Sequence, residues 1–215
     1  MLKVWGRRNS LNVQKVMWLV GELSLPHEHV SVGGPFGGTR EPAFRAMNPN
    51  GLVPVVEEGG LAIWESHAIL RYLGARYGGE ALWPQDAGER SLFDRWMDWC
   101  LAHWQPAFST GVFWGYYRTP EAKRDWPSIH RSIALCAELM RLVEGALQDR
   151  EFLAGDRLTL GDIPLGTSLF RYFDLDIERP SLPRVEAWYA RLKSRPAYRE
   201  HVMVPYDALK GRLAF

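Results

Sequence analysis

Cysteine is scarce in this chain: two residues in 215, Cys100 and Cys136, in neither a CxxC pair nor a metal-ligand spacing. That leaves no framework for a redox dithiol or a thiolate metal site, and it predicts free thiols in a reducing compartment. Long apolar runs are also missing. The longest, such as VMWLV at 16–20, fall far short of the roughly 20 residues needed to span a bilayer. The first ten residues, MLKVWGRRNS, lack the apolar core of a signal peptide, so the expected location is the cytoplasm. Charge of one sign is missing too. Lys and Arg number 26 against 25 Asp and Glu, for a net +1, and the cations are scattered. No basic stripe offers itself to nucleic acid or to an anionic membrane. The six histidines form no HExxH pattern, so no metal is expected, and GxGxxG, P-loop, GxSxG and kinase signatures are all absent.

What is present is an ordinary globular composition, 47% hydrophobic with ten tryptophans. The length allows one or two domains with ample core. The tryptophans suit either a packed core or the wall of an aromatic cavity.

The first part of the chain alternates strand and helix signals. Lys3–Trp5 reads as a strand. Ser10 stands as N-cap before Val13, Val16, Met17, Val20 and Leu23, which draw one apolar helix face. HEHVSV reads as a second strand, GGPFGGTREP as a loop, and PAFRAM as a short helical turn. LVPVVEE and LAIW are strand runs separated by Gly59-Gly60, a hairpin signal. Residues 66–77 then read as a helix, stopped by Gly78-Gly79, with Ile69, Leu70, Tyr72 and Leu73 inward. Beyond this the pattern is helical throughout. Leu92, Phe93, Trp96, Met97, Cys100 and Trp104 form one stripe, and Ile129, Ile133, Cys136, Met140, Val143 and Leu147 another. The predicted fold class is α/β plus all-α: a βαβ-ββα domain over 1–80 with a mixed four-stranded sheet, a linker over 81–88, and an all-helical domain over 89–215.

Three features carry chemistry. Pro54 interrupts a strand pattern, and proline has no N–H for a ladder. Either it sits on an edge strand, or a cis X-Pro bond turns the backbone of Val53 outward; cis costs only about 0.5–1 kcal/mol at X-Pro. Glu65-Ser66 stands at a helix start, where free N–H groups and the positive dipole end favour an anion; Ser66 serves equally as a cap. Ser10 stands at the start of the first helix, whose dipole favours an anion, and serves equally as an N-cap, with Asn12 two residues on.

Together these residues carry a resemblance. The run NPNGLVPVVEEGGLAIWESHAILRYL resembles the N-terminal domain of cytosolic glutathione transferases. Ser10-Leu11-Asn12, Val53-Pro54, Glu65-Ser66, the helical second half and Thr159–Asp162 extend the likeness over essentially the whole chain, toward bacterial members of serine/asparagine type. The resemblance implies a thioredoxin-like first domain, a homodimer, glutathione as co-substrate, and detoxifying transfer of its thiolate to a small hydrophobic electrophile. Alternatives are glutathione-dependent disulfide or peroxide reduction, or a non-catalytic glutathione-transferase-like binding protein.

By this resemblance Pro54 follows a cis bond, and Val53 pairs with the cysteinyl part of glutathione. Ser66 and Glu65 take the carboxylate and ammonium of its γ-glutamyl end. Ser10 or Asn12 donates to the sulfur, with Ser10 favoured. Leu52 stands where many relatives carry a polar or basic side chain, which passes the glycyl carboxylate to Arg40 or another basic residue of the loop. Arg7 and Arg8 lie beside Ser10 and suit a solvated surface role as well. His67 is expected to be exposed. Trp5 ends the first strand where tyrosine-type members place their tyrosine, and it cannot ionise to help. The hydrophobic substrate site implied in the second domain draws on His103, Trp104, Phe108, Trp114 and Tyr117, though their helical spacing equally suits core. Thr159 is read as the N-cap and Asp162 as the third residue of a buried helix, with Leu158 and Ile163 as a hydrophobic staple.

Overall fold

The computed structural model describes residues 1–213, and the chain divides into two compact units. The first takes Met1–Pro84 together with Pro196–Val204; the second takes Gln85–Arg195 together with residues 205–213.

The first unit is built on a mixed sheet of four strands: β1 (Leu2–Trp5), β2 (His27–Val30), β3 (Val55–Glu58) and β4 (Leu61–Trp64), in the order β2-β1-β3-β4. β1 runs parallel to β2, with Leu2 opposite His27 and Trp5 opposite Val30. Parallel neighbours need a crossover rather than a hairpin, and helix α1 (Leu11–Glu22) supplies it. β1 is antiparallel to β3, with Trp5 opposite Val55, and β3 turns back into β4 at Gly59-Gly60. Val4, Val55 and Val56 are fully buried, as a central β1–β3 pair requires. A short helix α2 (Pro42–Met47) precedes β3, and α3 (Ser66–Tyr77) follows β4 and packs against α1. The strand expected from Leu52 begins only at Val55. A short helix α4 (Gly79–Leu82) follows α3. The expected linker 81–88 is therefore ordered at both ends, because α5 (Ala87–Trp99) starts early on Asp86, whose carboxylate accepts the Glu89 N–H at 2.8 Å.

The all-helical block expected over 89–215 gives up residues 196–204, which belong to the first unit. Helix α9 (Pro196–His201) lies on α1. Tyr198 meets Trp18 edge-on at 4.8 Å between centroids. Gly21 makes the approach possible, because a Cβ there would stand 2.8 Å from His201 Cδ2 and 2.9 Å from the Ala197 Cβ.

The second unit holds α5, a helical stretch over Cys100–Arg118, then α6 (Trp126–Ala146), α7 (Asp162–Asp174) and α8 (Pro183–Ser194). The Cys100–Arg118 stretch is wound more widely than an α-helix. At its end the Thr119 N–H reaches back five residues to the Trp114 carbonyl at 3.0 Å. It packs along α6. Phe93, Met97 and Cys100 are buried in one stripe, and Ile129, Cys136, Met140 and Val143 in the other. Neither cysteine is in a disulfide, and burial pushes the Cys136 thiol up to about 12, which leaves it unreactive.

Asp162 organises the start of α7, though not from the position expected. The helix begins at Asp162 itself, with Gly161 in the cap position, because residues 159–161 form a turn closed by Asp162 N–H to Thr159 O at 3.1 Å. The carboxylate is fully buried. It accepts the Leu153 N–H at 2.9 Å, the Thr159 N–H at 2.8 Å and the Thr159 hydroxyl at 2.8 Å. Burial raises its pKa from 3.8 to about 6, against the pull of these donors. Asp162→Ala strands three buried donors and is expected to cost about 3 kcal/mol or more of stability, read as a lowered denaturation midpoint. A raised carboxyl pKa means that the folded state holds the proton more tightly than the unfolded one. The Asp162 contribution is therefore largest below pH 4 and declines as pH rises toward 6. Asp162→Asn should lack that decline in a pH series of melting curves.

Candidate active site

The Trp5–Val55 pair is the last rung of the β1–β3 ladder. Past it, both chains leave the sheet together. Gly6 follows β1 with a φ of 154°, and a Cβ there would lie 2.4 Å from Val13 Cγ2 and 3.3 Å from Val53 Cβ. Only glycine lets the turn into α1 press this closely on Val53. The Val53–Pro54 peptide bond is cis, and Val53 lies outside the β3 pairing. The loop before it is held by Asn48, a buried residue that sequence reasoning missed. Its Nδ2 donates to the Leu52 carbonyl at 2.9 Å, and its Oδ1 accepts the Asn50 N–H at 3.0 Å. Leu52 itself is 63% exposed. The Thr39 carbonyl lies 2.9 Å from the Cβ position of Gly51, which puts the exposed Arg40 one residue from the Gly51–Leu52 backbone.

At the start of α1, Ser10 occupies the cap position with an extended backbone, yet its hydroxyl makes no capping bond. The reading of Ser10 as a side-chain cap is thus not what the geometry uses, and the hydroxyl is left for another acceptor. Asn12 is half-buried, and its Oδ1 accepts from Lys15 Nζ at 3.0 Å. Lys15 is 4% exposed and was missed because it lies off the apolar stripe; its only sequence signal is a cation between the buried positions 13 and 16. Of the arginines beside Ser10, Arg7 donates to Asn9 Oδ1 at 3.1 Å, and Arg8 is exposed. Trp5, whose ring meets Phe44 edge-on at 6.4 Å, belongs to the small core formed with Val32 and Val55.

At the start of α3, Glu65 is exposed and holds a φ of 69°, unusual for a residue with a side chain. Ser66 follows, 6% exposed. His67 is not exposed as expected but 95% buried (5% relative exposure), because α3 packs on α1 and brings Lys15 Nζ to 3.2 Å from its Nε2. Burial, then the nearby charges of Lys15 and Arg71, lower its pKa to about 2, so the ring is neutral. The structure therefore brings Ser10, Asn12, Val53, Pro54, Glu65 and Ser66 into one unit, around two helix starts and the end of one ladder.

The five helical residues separate. Trp104 and Phe108 are 1% and 0% exposed, stack at 5.1 Å and meet Tyr172, and the Trp104 indole donates to Ser168 Oγ at 2.6 Å. They are interior packing of the helical unit and not a surface for a substrate, since the Cys100–Arg118 stretch turns that side toward α7. Tyr117 stacks on Phe113 and leans on Tyr206, and its carbonyl accepts the Gly211 N–H at 3.0 Å, so it anchors the chain's last described residues. His103 and Trp114 are exposed. None of the five lines the large groove of this unit, about 630 Å³ between Tyr116, Trp126, His130, Arg141 and Arg179. Among the described residues no group of three or more His, Cys, Asp or Glu side chains converges as a metal site, and no helix is long and apolar enough to cross a membrane.

A mixed βαβ-ββα sheet with a cis-proline before its third strand, continued by a helical unit, is a thioredoxin-like domain joined to an all-α one. The family model for the glutathione S-transferase N-terminal domain matches residues 5–81, and that for its C-terminal domain matches residues 109–196. Glutathione S-transferase GstB of Escherichia coli (strain K12) is 38% identical over 207 residues, covering 95% of this chain and 99% of that protein. Glutathione S-transferase 3 of Zea mays is 30% identical, covering 94% and 93%. The theta class glutathione S-transferase of Xanthomonas axonopodis pv. citri, solved with glutathione bound, superposes with a TM-score of 0.90 at 47% identity, covering 95% of this chain and 98% of that one. The chain belongs to the glutathione S-transferase family.

The backbone of Glu65 gives a test independent of any ligand. Its φ of 69° stores strain of about 1–3 kcal/mol that glycine would not carry. Glu65→Gly is expected to leave stability unchanged or raise it by about 1 kcal/mol in a denaturant titration. A clear loss would show that the Glu65 side chain holds α3 in place.

Proposed function

We propose that the first unit binds glutathione across the two helix starts and stabilises its thiolate for attack on a small hydrophobic electrophile. The observation that carries this reading is the Ser10 hydroxyl, which stands at the α1 N-terminus without a capping bond. A free thiol has a pKa near 8.5 and is mostly protonated at neutral pH. A hydroxyl donor and the positive end of α1 both favour the anion. Asn12, two residues along at the same helix start, is the second donor. The Val53 backbone, outside the ladder, pairs with the cysteinyl peptide group. The start of α3 takes the γ-glutamyl carboxylate at Ser66, and Glu65 takes the ammonium. With Leu52 exposed and apolar, Arg40 is the cation for the glycyl carboxylate. The glutathione-bound relative supports the co-substrate.

In the transfer, the sulfur's electron pair forms a bond to the electrophilic carbon, and that carbon's leaving group departs with its own pair. Ser10 and Asn12 neither accept nor give up a proton; they hold negative charge at sulfur. His103 and Trp114, the exposed members of the five helical residues, are those available to meet the electrophile. The working form is a homodimer in the cytoplasm, a reading that family membership supports.

Calorimetry should detect glutathione binding to the wild-type protein, and its absence would end this proposal. Ser10→Ala should lower turnover on a chlorinated aromatic by about 10- to 1000-fold, in the range seen when one charge-stabilising donor is removed. Unchanged turnover would move the sulfur contact to Asn12, and faster turnover on a small mixed disulfide would place the chemistry at sulfur acceptors.

A further inference from the structure

Lys15 lies between the two helix starts. It is 4% exposed and sits in the second turn of α1, where the helix dipole disfavours a cation. Burying an ammonium is costly in itself. Its Nζ donates to Asn12 Oδ1 at 3.0 Å, three residues back on the same face of α1, and lies 3.2 Å from His67 Nε2 on α3.

Each contact fixes an orientation. An ammonium has donors and no acceptor, so His67 Nε2 must accept and the ring proton sits on Nδ1. That Nδ1 is buried and has no partner among the described residues, so the ring keeps this tautomer at the expense of one orphaned donor. Asn12 is constrained in the same way. With Oδ1 on the ammonium, the amide Nδ2 occupies the opposite edge, and rotating the amide by half a turn would set N–H₂ against NH₃⁺. Lys15 therefore decides which face of Asn12 the α1 start presents, while tying that start to the residue after Ser66.

We propose that Lys15 is a positioning residue: it locks Asn12 with its N–H₂ edge toward the glutathione sulfur and holds the α1 and α3 starts in register. The inference rests on the reading of Asn12 as a thiolate donor. It places Lys15 behind the donor, acting through it, with no contact to glutathione required.

The test follows from acting through Asn12. Bound glutathione thiolate is titrated by its ultraviolet absorbance in four proteins: wild type, Lys15→Met, Asn12→Ala and the double variant. Calorimetry gives the glutathione affinity of each, and melting curves give their stability. Lys15→Met should raise the bound thiol's pKa by about one unit, a tenfold loss of thiolate well below that pKa. It should leave glutathione affinity within about threefold and lower the melting point, since Asn12 Oδ1 and His67 Nε2 lose their donor. In the Asn12→Ala background the same substitution should add nothing. Lys15→Gln, whose amide can still donate to Asn12 Oδ1, should recover most of the shift; Lys15→Ala serves in place of Lys15→Met if that variant does not fold.

A shift of equal size in both backgrounds, or failure of Lys15→Gln to recover it, would assign the effect to the ammonium's own charge and overturn positioning. No shift in Lys15→Met with glutathione still bound would overturn the role of Lys15 alone. A wild-type protein that binds no glutathione would overturn the reading of the site beneath it.

Discussion

The pairing of Trp5 with Val55 governs the rest of the first unit. β1 is bonded on both sides, parallel to β2 and antiparallel to β3, so its end is fixed by two ladders at once. The parallel partner forces the chain out of β1 into a crossover helix, and the antiparallel partner enters β3 at the same place. Gly6 leaves as Val53-Pro54 arrives. Proline at 54 is tolerated because the ladder has not begun, and glycine at 6 is required because Val13 and Val53 leave no room for a Cβ. A helix N-terminus and a stretch of unladdered backbone are thus set side by side by strand pairing alone. Catalytic side chains can then be added without further distortion of the sheet.

What is added departs from what stability alone would select. Glu65 holds a positive φ, Ser10 declines the cap bond its position offers, and Lys15 and His67 are buried with an orphaned ring nitrogen between α1 and α3. Each departure lies within three residues of a helix start or one turn further in. Ser24, just past α1, also holds a positive φ, and Trp5 and Gln14 also bury polar atoms with no partner among the described residues. Several departures falling together around two helix starts are what a site that answers to a ligand shows.

The sequence made much of this legible, for reasons that differ by element. The α1 and α3 boundaries follow from an apolar period and a stop at Gly78, both local signals; neither Ser10 nor Ser66 caps with its side chain, since Ser66 is the first helical residue and Glu65 precedes it. The cis bond at Pro54 was readable because proline has only a few ways to sit in a strand pattern, and the resemblance selected one. Lys15 and the burial of His67 were not readable, because both arise from the packing of α1 on α3, between residues 52 apart in the chain. Periodicity assigns a residue to a face of its own helix, and nothing in it names the helix opposite. The same limit explains α9, which was expected within the helical block and packs on α1, and the start of α7. There Thr159 and Asp162 do bond, but the Leu153 N–H joins them from outside the local motif.

The second unit inverts the relation between composition and function. Its aromatic residues drew attention as substrate contacts because they are many and regularly spaced. That regularity is what helical packing produces. Trp104 and Phe108 stack on each other and on Tyr172 with the indole N–H satisfied by Ser168, and a ring so held has no open face for a second molecule. Tyr117 is occupied by Phe113, Tyr206 and the backbone of Gly211. Exposed helical positions are the ones that can change at little cost to the core. On the proposed reading, thiolate chemistry at the sheet end and electrophile choice at exposed helical positions are separable, and a shared fold with divergent substrates is the expected consequence.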